Sequence, residues 1–357
     1  MTDQPVDLST SYLGLALRNP VVASASPLSQ GVDRVRALAD AGVGAVVMYS
    51  LFEEEVHREQ LRDLAVTESH EHAFGEAMSY FPSARTPGAN GAGDGDAVDA
   101  AGGATRYLRL LEQCATAVDV PVVASLNGST AGGWVGFARS MQDAGAAAVE
   151  LNVYLVPGDP HTSGREVEDR HVEILQQVRD VVSVPVAVKL SPHFSSTGEM
   201  AMRLDRAGAD GLVLFNRFLQ PDVDPEALAV TTGVTLSTPA EARLPRTWIA
   251  ILRGHVTASL AATTGVDQAE DVVSYLLAGA DVVMTASALL RHGVGHAEVL
   301  LAGLEDWMRR HGFATLEDFR GLLAVPAGVD QGAYERAGYV AALEKARRTY
   351  GDLGDLR

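Results

Sequence analysis

AGADVVMT, residues 278–285, is the fourth appearance of one phrase; AGVGAVVM (41–48), AGAAAVEL (144–151) and AGADGLVL (207–214) precede it. Each copy follows an amphipathic stretch, such as VDRVRALAD (32–40) or AEDVVSYLL (269–277). A glycine just after such a stretch ends a helix, and the apolar run beyond it reads as a buried strand. A second phrase falls between the copies: VPVVASL (120–126) and VPVAVKL (184–190). Its proline opens a strand where a missing N–H does no harm. NPVVASAS (19–26) and SLAATTG (259–265) complete a set of eight short apolar runs, mostly separated by helical patterns.

Continuous apolar strands suit a parallel sheet covered on both faces. Eight βα units in about 250 residues predict a (β/α)8 TIM barrel. The rival is an open doubly wound sheet. That fold would carry a glycine-rich turn after its first strand, which ASASPLSQG matches poorly. Three stretches exceed a minimal barrel: 52–104 after the second strand, 216–246 after the sixth, and a tail from 294. The first ends in TPGANGAGDGDAVDAAGGA, and residues 87–104 read as a flexible insertion. In the tail, HAEVLLAGLEDWMRRHG and YVAALEKARRTYG predict helices packed outside the barrel. The whole of 1–357 reads as a single domain. The long loops leave from the C-terminal face, where barrel active sites lie, and 52–104 carries Tyr80-Phe81, aromatics suited to covering a site.

The chain has 357 residues and a net charge of −18. A surface that acidic argues against nucleic acid and anionic membranes as partners. Any anionic ligand needs a local device to hold it. The single cysteine, Cys114, permits no internal disulfide, leaves no CxxC metal or redox motif, and reads as a small apolar residue on a helix. The N-terminus lacks a secretory pattern, and no apolar run approaches a membrane span. The expectations are a cytoplasmic protein, no bound metal and a small-molecule substrate.

Residues two apart on a strand share a face. Glu150 and Asn152 therefore point together at the end of the fourth run, beside Lys189 at the end of the fifth. Asn127 ends the third run, Asn216 follows the sixth, and Tyr49 with Ser50 ends the second. These polar groups are expected to converge at one mouth. Lys189 has two readings there: a functional cation, or a buried ion pair with Glu150. The seventh run ends in Thr263-Thr264-Gly265. The eighth ends in Thr285-Ala286-Ser287 and passes into ALLRHG. Small-residue turns at these two strand ends form the usual phosphate site of a barrel. A phosphate there and a lysine across the mouth fit a phosphorylated cofactor.

The ordered phrases NPVVASAS, AVVMYS, VASLNGS, VELNVY, VAVKLSP, LVLFNR, LAATTGV and TASALLRHG resemble the flavin-dependent dihydroorotate dehydrogenases. The likeness is strongest to the soluble type and its dihydroorotate dehydrogenase-like relatives, over about residues 8–320. It implies FMN on the barrel mouth and an oxidoreductase of the CH–CH class, with pyrimidine biosynthesis as its setting and a homodimer as its assembly. By the same resemblance Ala23, Ser24, Tyr49 and Ser50 lie against the cofactor, and Asn152 and Lys189 hold its polar edge. Thr264, Gly265, Ala286 and Ser287 match its phosphate positions, and Asn127 and Asn216 face the substrate.

Three phrases depart from the family's pattern. After ELN the family has a Cys or Ser base, where this chain has Leu155. The family's lysine near the end of the second strand is Tyr49 here. EAMSYFPSA (76–84) keeps nothing of the family's dihydroorotate-gripping stretch. Leucine cannot take a proton, which argues against dihydroorotate as the substrate. Tyr49, Ser129, Thr130 and His193 are the remaining candidates for a proton-carrying group. Two alternatives stay open: a Schiff-base lyase using Lys189, and a flavin-binding protein without turnover.

Overall fold

The structure, a computed structural model, describes residues 6–58, 103–130, 132, 135–155, 159–217, 221–231, 233, 235–326 and 328–351. Eight strands close a parallel barrel: β1 (Val21–Ala23), β2 (Ala45–Phe52), β3 (Val122–Gly128), β4 (Ala148–Val153), β5 (Val186–Leu190), β6 (Gly211–Leu214), β7 (Ser259–Ala262) and β8 (Val282–Thr285). They pair in chain order, and β8 returns to β1. Each overlaps one of the runs that the sequence offers, with β2, β3 and β4 continuing two to four residues past theirs, and the (β/α)8 TIM barrel stands.

The helices between them are α1 (Val32–Asp40), α2 (Gly103–Ala117), α3 (Val135–Asp143), α4 (Gly164–Val181), α5 (Thr197–Arg206), α6 (Arg243–Leu252) and α7 (Ala269–Ala278); α8 (Ser287–His292) and α9 (His296–His311) follow β8. The repeated Ala-Gly phrase does what its position suggests. Gly42, Gly145, Gly208 and Gly279 take φ of +94°, +93°, +95° and +115°, a left-handed turn that lets each helix end feed directly into the next strand.

Alternation along the strands divides the core into two shells. One lies between strands and helices and includes Val46, Met48, Leu126, Leu151, Val188 and Leu276. The other fills the barrel with Val22, Val47, Val123, Val213 and Met284 interleaved with small Ala45, Ala148, Ala187 and Ala261. The small residues make room for a hairpin, Thr10–Tyr12 against Leu15–Leu17, whose Tyr12, Leu13 and Leu17 join this inner shell. The Leu13 N–H donates to Ser259 Oγ at the start of β7 (3.1 Å). A Cβ on Gly211 would stand 2.4 Å from Leu13 Cδ2, so β6 begins with glycine where the plug presses closest. The hairpin seals the N-terminal end and leaves the C-terminal mouth open.

Three expectations about the loops and tail need restating. Residues 103–104 belong to α2, with Ala104 fully buried, so the expected 87–104 insertion ends earlier. The rest of that insertion, and Tyr80-Phe81, lie outside the described residues. The 216–246 stretch contains a short exposed hairpin, Asp222–Asp224 against Ala229–Thr231, and a 3-10 turn at Pro239–Ala242. In the tail, α9 packs on α7 through residues such as Leu300 and Leu304. The last helix, α10 (Gln331–Tyr350), instead stays exposed along its described side chains, with Tyr339, Val340 and Leu343 facing outward. Its sequence alternates small and charged residues and offers no continuous apolar stripe to bury. Among the described residues no helix is long and apolar enough to cross a membrane.

Candidate functional site

Strand alternation brings most of the expected side chains to the mouth. Asn127, Glu150, Asn152 and Lys189 follow inward-facing Val123, Ala148 and Ala187 at even spacings, and all four are buried. Asn127 lies opposite Asn152 in the β3–β4 ladder, and Asn152 lies opposite Lys189 in β4–β5. Asn216 donates its amide N–H to Asn152 Oδ1 (2.8 Å) across the mouth, fixing both side chains. The Lys189 ammonium stands 3.4 Å from Glu150 Oε1, and this is its one hydrogen bond among the described residues. Their side chains are only 9% and 1% exposed, so the ion pair that the sequence allowed is present.

Tyr49 departs from the expectation. Between Val47 and Ser50 the β2–β3 register shifts by one residue, a bulge that reverses the alternation. Ser50 then points inward and hydrogen-bonds Ser125 Oγ (2.8 Å), while the Tyr49 ring packs edge-on against Tyr107 of α2, centroids 5.0 Å apart. Burial raises the Tyr49 hydroxyl above its ordinary range. Tyr107 completes the bulge from outside. Its hydroxyl accepts the Ser125 N–H (3.0 Å) and donates to the Ser125 carbonyl (3.3 Å), pairing backbone groups at the irregular step. Ala23 also packs into the outer shell, so its side chain faces away from the mouth; Ser24, next along, lines the cavity.

The ends of β7 and β8 enclose a cavity of about 140 Å³ with Ser24, Lys189 and Asn216. Thr264 and Gly265 both take left-handed conformations, φ +80° and +72°. Gly265 is obligatory on packing grounds. An added Cβ would fall 2.7 Å from the Thr238 carbonyl and 2.8 Å from the Ala242 nitrogen. The Tyr275 hydroxyl braces this turn from beneath by donating toward the Thr264 and Thr263 carbonyls (2.7 and 3.2 Å). Ala286 and Ser287 line the cavity opposite, so all four expected phosphate positions face one space.

Ser237, from the insertion after β6, ties the two strand ends together. Its Oγ accepts the Gly265 N–H (3.2 Å), and its N–H and hydroxyl both donate to Ser287 Oγ (3.0 Å each). Arg291 holds Ser237 in turn, donating to its carbonyl (2.9 Å) while pairing with Asp267. Burial works against the Asp267 charge, but hydrogen bonds from Arg291 and His292 outweigh it and pull the carboxyl below its ordinary value. Arg217 adds a cation to the lining, anchored on Glu241 (3.1 Å).

The proton-carrying candidates scatter. His193 is exposed, and its backbone N–H bonds Ser191 Oγ (3.0 Å); it lines a neighbouring 370 Å³ pocket that shares Phe215, Asn216, Arg217 and Thr264 with the first. Ser129 and Thr130 follow β3 and give their backbone N–H groups to buried Glu53 (2.8 and 3.3 Å), which also accepts the Thr130 hydroxyl. Leu155 is half-buried just beyond β4. Sequence reasoning missed Ser237, Arg217, Glu53 and Tyr107. Only Glu53, a charge directly after an apolar strand, carried a signal that could have been read. Among the described residues no group of three or more His, Cys, Asp or Glu side chains could hold a metal ion.

Residues 100–308 match the family described as dihydroorotate dehydrogenase. The dihydroorotate dehydrogenase B (NAD(+)) catalytic subunit of Thermoplasma acidophilum is 26% identical over 324 residues, covering 88% of this chain and 98% of that protein. The protein of the same description from Methanothermobacter thermautotrophicus is 24% identical over the same shares of the two chains. The Halalkalibacterium halodurans protein of that description reaches 36% identity over 178 residues, 48% of this chain and 58% of its own length.

Proposed function

Because the chain belongs to the dihydroorotate dehydrogenase family, we propose that it is an FMN-dependent oxidoreductase of the CH–CH class. The observation that carries the reading is the shared cavity: a lysine and Asn216 on one side, two small-residue turns on the other. The residues present fit FMN. The β7–β8 turns, with Ser237 and Arg217, would hold its phosphate. Lys189 and Asn152 would meet the polar edge of its ring. Among the described residues Lys189 has a single, long hydrogen bond, which leaves it donor capacity toward the cavity.

FMN bound there supplies a ring that accepts a hydride and carries negative charge when reduced. Lys189 would oppose that charge from a buried position, where electrostatic interactions are least screened. The Asn152–Asn216 bond would keep both amides oriented. Ser50 and Ser125, paired to each other across β2 and β3, give the mouth's other side a polar floor.

Leu155 limits the substrate. Breaking a C–H bond next to a carbonyl needs a base, and leucine has no lone pair to offer. The same residue favours a second reading, a flavin-binding protein without oxidoreductase turnover. Purified protein should be yellow and release FMN, not FAD, on denaturation; a colourless preparation that FMN cannot reconstitute would refute the proposal. Mixed anaerobically with dihydroorotate, the flavin should not bleach at rates of about 1–1000 per second. Bleaching at such rates would show that another group has taken the base's place.

A further inference from the structure

Glu150 is almost wholly buried inside the barrel. Its Oε1 faces Lys189 at 3.4 Å, and its Oε2 is sealed from solvent with no hydrogen-bond partner among the described residues. A carboxylate so placed depends on Lys189 to balance its charge. The strand register shows how the pair is stacked. Lys189 lies opposite Asn152 at the mouth, whereas Glu150 lies opposite Ala187, one inward-facing step deeper. The lysine side chain therefore starts level with the mouth and reaches back toward the carboxylate. It lines the cavity; Glu150 does not.

The same ammonium thus stands between a fixed anion below and whatever the cavity holds above. We propose that Glu150 is a positioning residue: it holds the Lys189 ammonium at the cavity floor and shares its charge, which makes the bound cofactor harder to reduce. The proposal rests on the flavin reading above. Reduction adds negative charge on the cavity side of Lys189, and a carboxylate already paired with that ammonium offsets part of the stabilisation it gives.

The test uses the FMN-loaded, full-length protein and reads the flavin's midpoint potential in wild type, Glu150→Gln, Lys189→Met and the double variant. Removing the carboxylate charge should favour reduced over oxidised FMN about tenfold, a rise of about 30 mV for a two-electron couple. Lys189→Met should lower the potential. In the Lys189→Met background, Glu150→Gln should change little, because its effect passes through the lysine. Should Glu150→Gln fail to fold, Glu150→Asp retracts the charge by one methylene, and its potential should rise in the same direction.

An unchanged potential in the folded Glu150 variant overturns the proposal while leaving the flavin reading intact. A shift of full size in the Lys189→Met background also overturns it, since Glu150 would then act on the ring directly. A wild-type protein that takes up no FMN refutes the flavin reading and this proposal together.

Discussion

Replacing Gly265 with alanine puts the cavity's construction to a quantitative test. Two penalties can be worked from the structure. The residue sits at φ +72°, where an L side chain costs about 1–2 kcal/mol. Its new Cβ would also meet the Thr238 carbonyl at 2.7 Å, the Ala242 nitrogen at 2.8 Å and the Ala242 Cβ at 2.9 Å. Two of these atoms are backbone, so the strain must be taken up by moving the 237–242 segment, at about 1–3 kcal/mol. The sum is about 2–5 kcal/mol. For 357 residues the unfolding entropy is about 0.75 kcal/mol per degree, so Tm should fall by about 3–7 °C.

Gly312→Ala is the matching control. It shares a left-handed φ of +77°, but its Cβ would meet nothing within 4 Å. Only the backbone penalty remains, and Tm should fall by about 1–3 °C. Circular dichroism of cofactor-free protein gives both values. A fluorescence titration with FMN then separates stability from binding. Gly265→Ala should weaken FMN because the displaced segment carries Ser237, whereas Gly312→Ala, far along the chain in the α9 C-cap, should not. Equal Tm losses in the two variants, with FMN affinity unchanged in both, would show that the turn is not the tightly packed cradle described.

Tyr107→Phe should cost about 1–3 kcal/mol by leaving the Ser125 N–H and carbonyl without their bracing hydroxyl. Amide exchange at Ser125 should quicken, and unchanged protection there would refute the role given to Tyr107. His171, buried in α4 with Nδ1 bonded to the Val167 carbonyl (2.7 Å), has its pKa lowered chiefly by burial. The fold therefore keeps the full benefit of the neutral ring above the unfolded value near 6.5 and loses it as pH falls from there through the lower folded value. Urea midpoints at pH 7 and pH 5 should converge in His171→Phe relative to wild type; an equal acid loss in both would place the effect elsewhere.

What could be read from the sequence follows from how each feature is encoded. The barrel is written redundantly: four Ala-Gly phrases, each joining an amphipathic helix to an apolar strand, announce the same unit. Period-two alternation then places Asn127, Glu150, Asn152 and Lys189 inward without any structural knowledge. The plugging hairpin is opaque by comparison, because strands of three residues are too short to show a period. Ser237 is opaque for another reason: it lies 28 residues before Gly265 and 50 before Ser287, and nothing in VTLSTP distinguishes it from an ordinary loop serine.

Tyr49 is the most instructive case, since the alternation that holds along the other strands breaks there. Counting by twos from Val47 points Tyr49 into the barrel. One extra residue before Ser50 changes the parity, and AVVMYSLF contains no glycine or proline to mark the bulge. The information sits instead in Tyr107, some sixty residues away, whose hydroxyl occupies the backbone groups beside the irregular step. By the resemblance Tyr49 stands where the family has a lysine, yet Ser50 is the residue that faces the interior. A lysine introduced by Tyr49→Lys would therefore start from the helix side of β2, beside Tyr107. Restoring the family's residue at that position does not by itself restore a cation at the mouth.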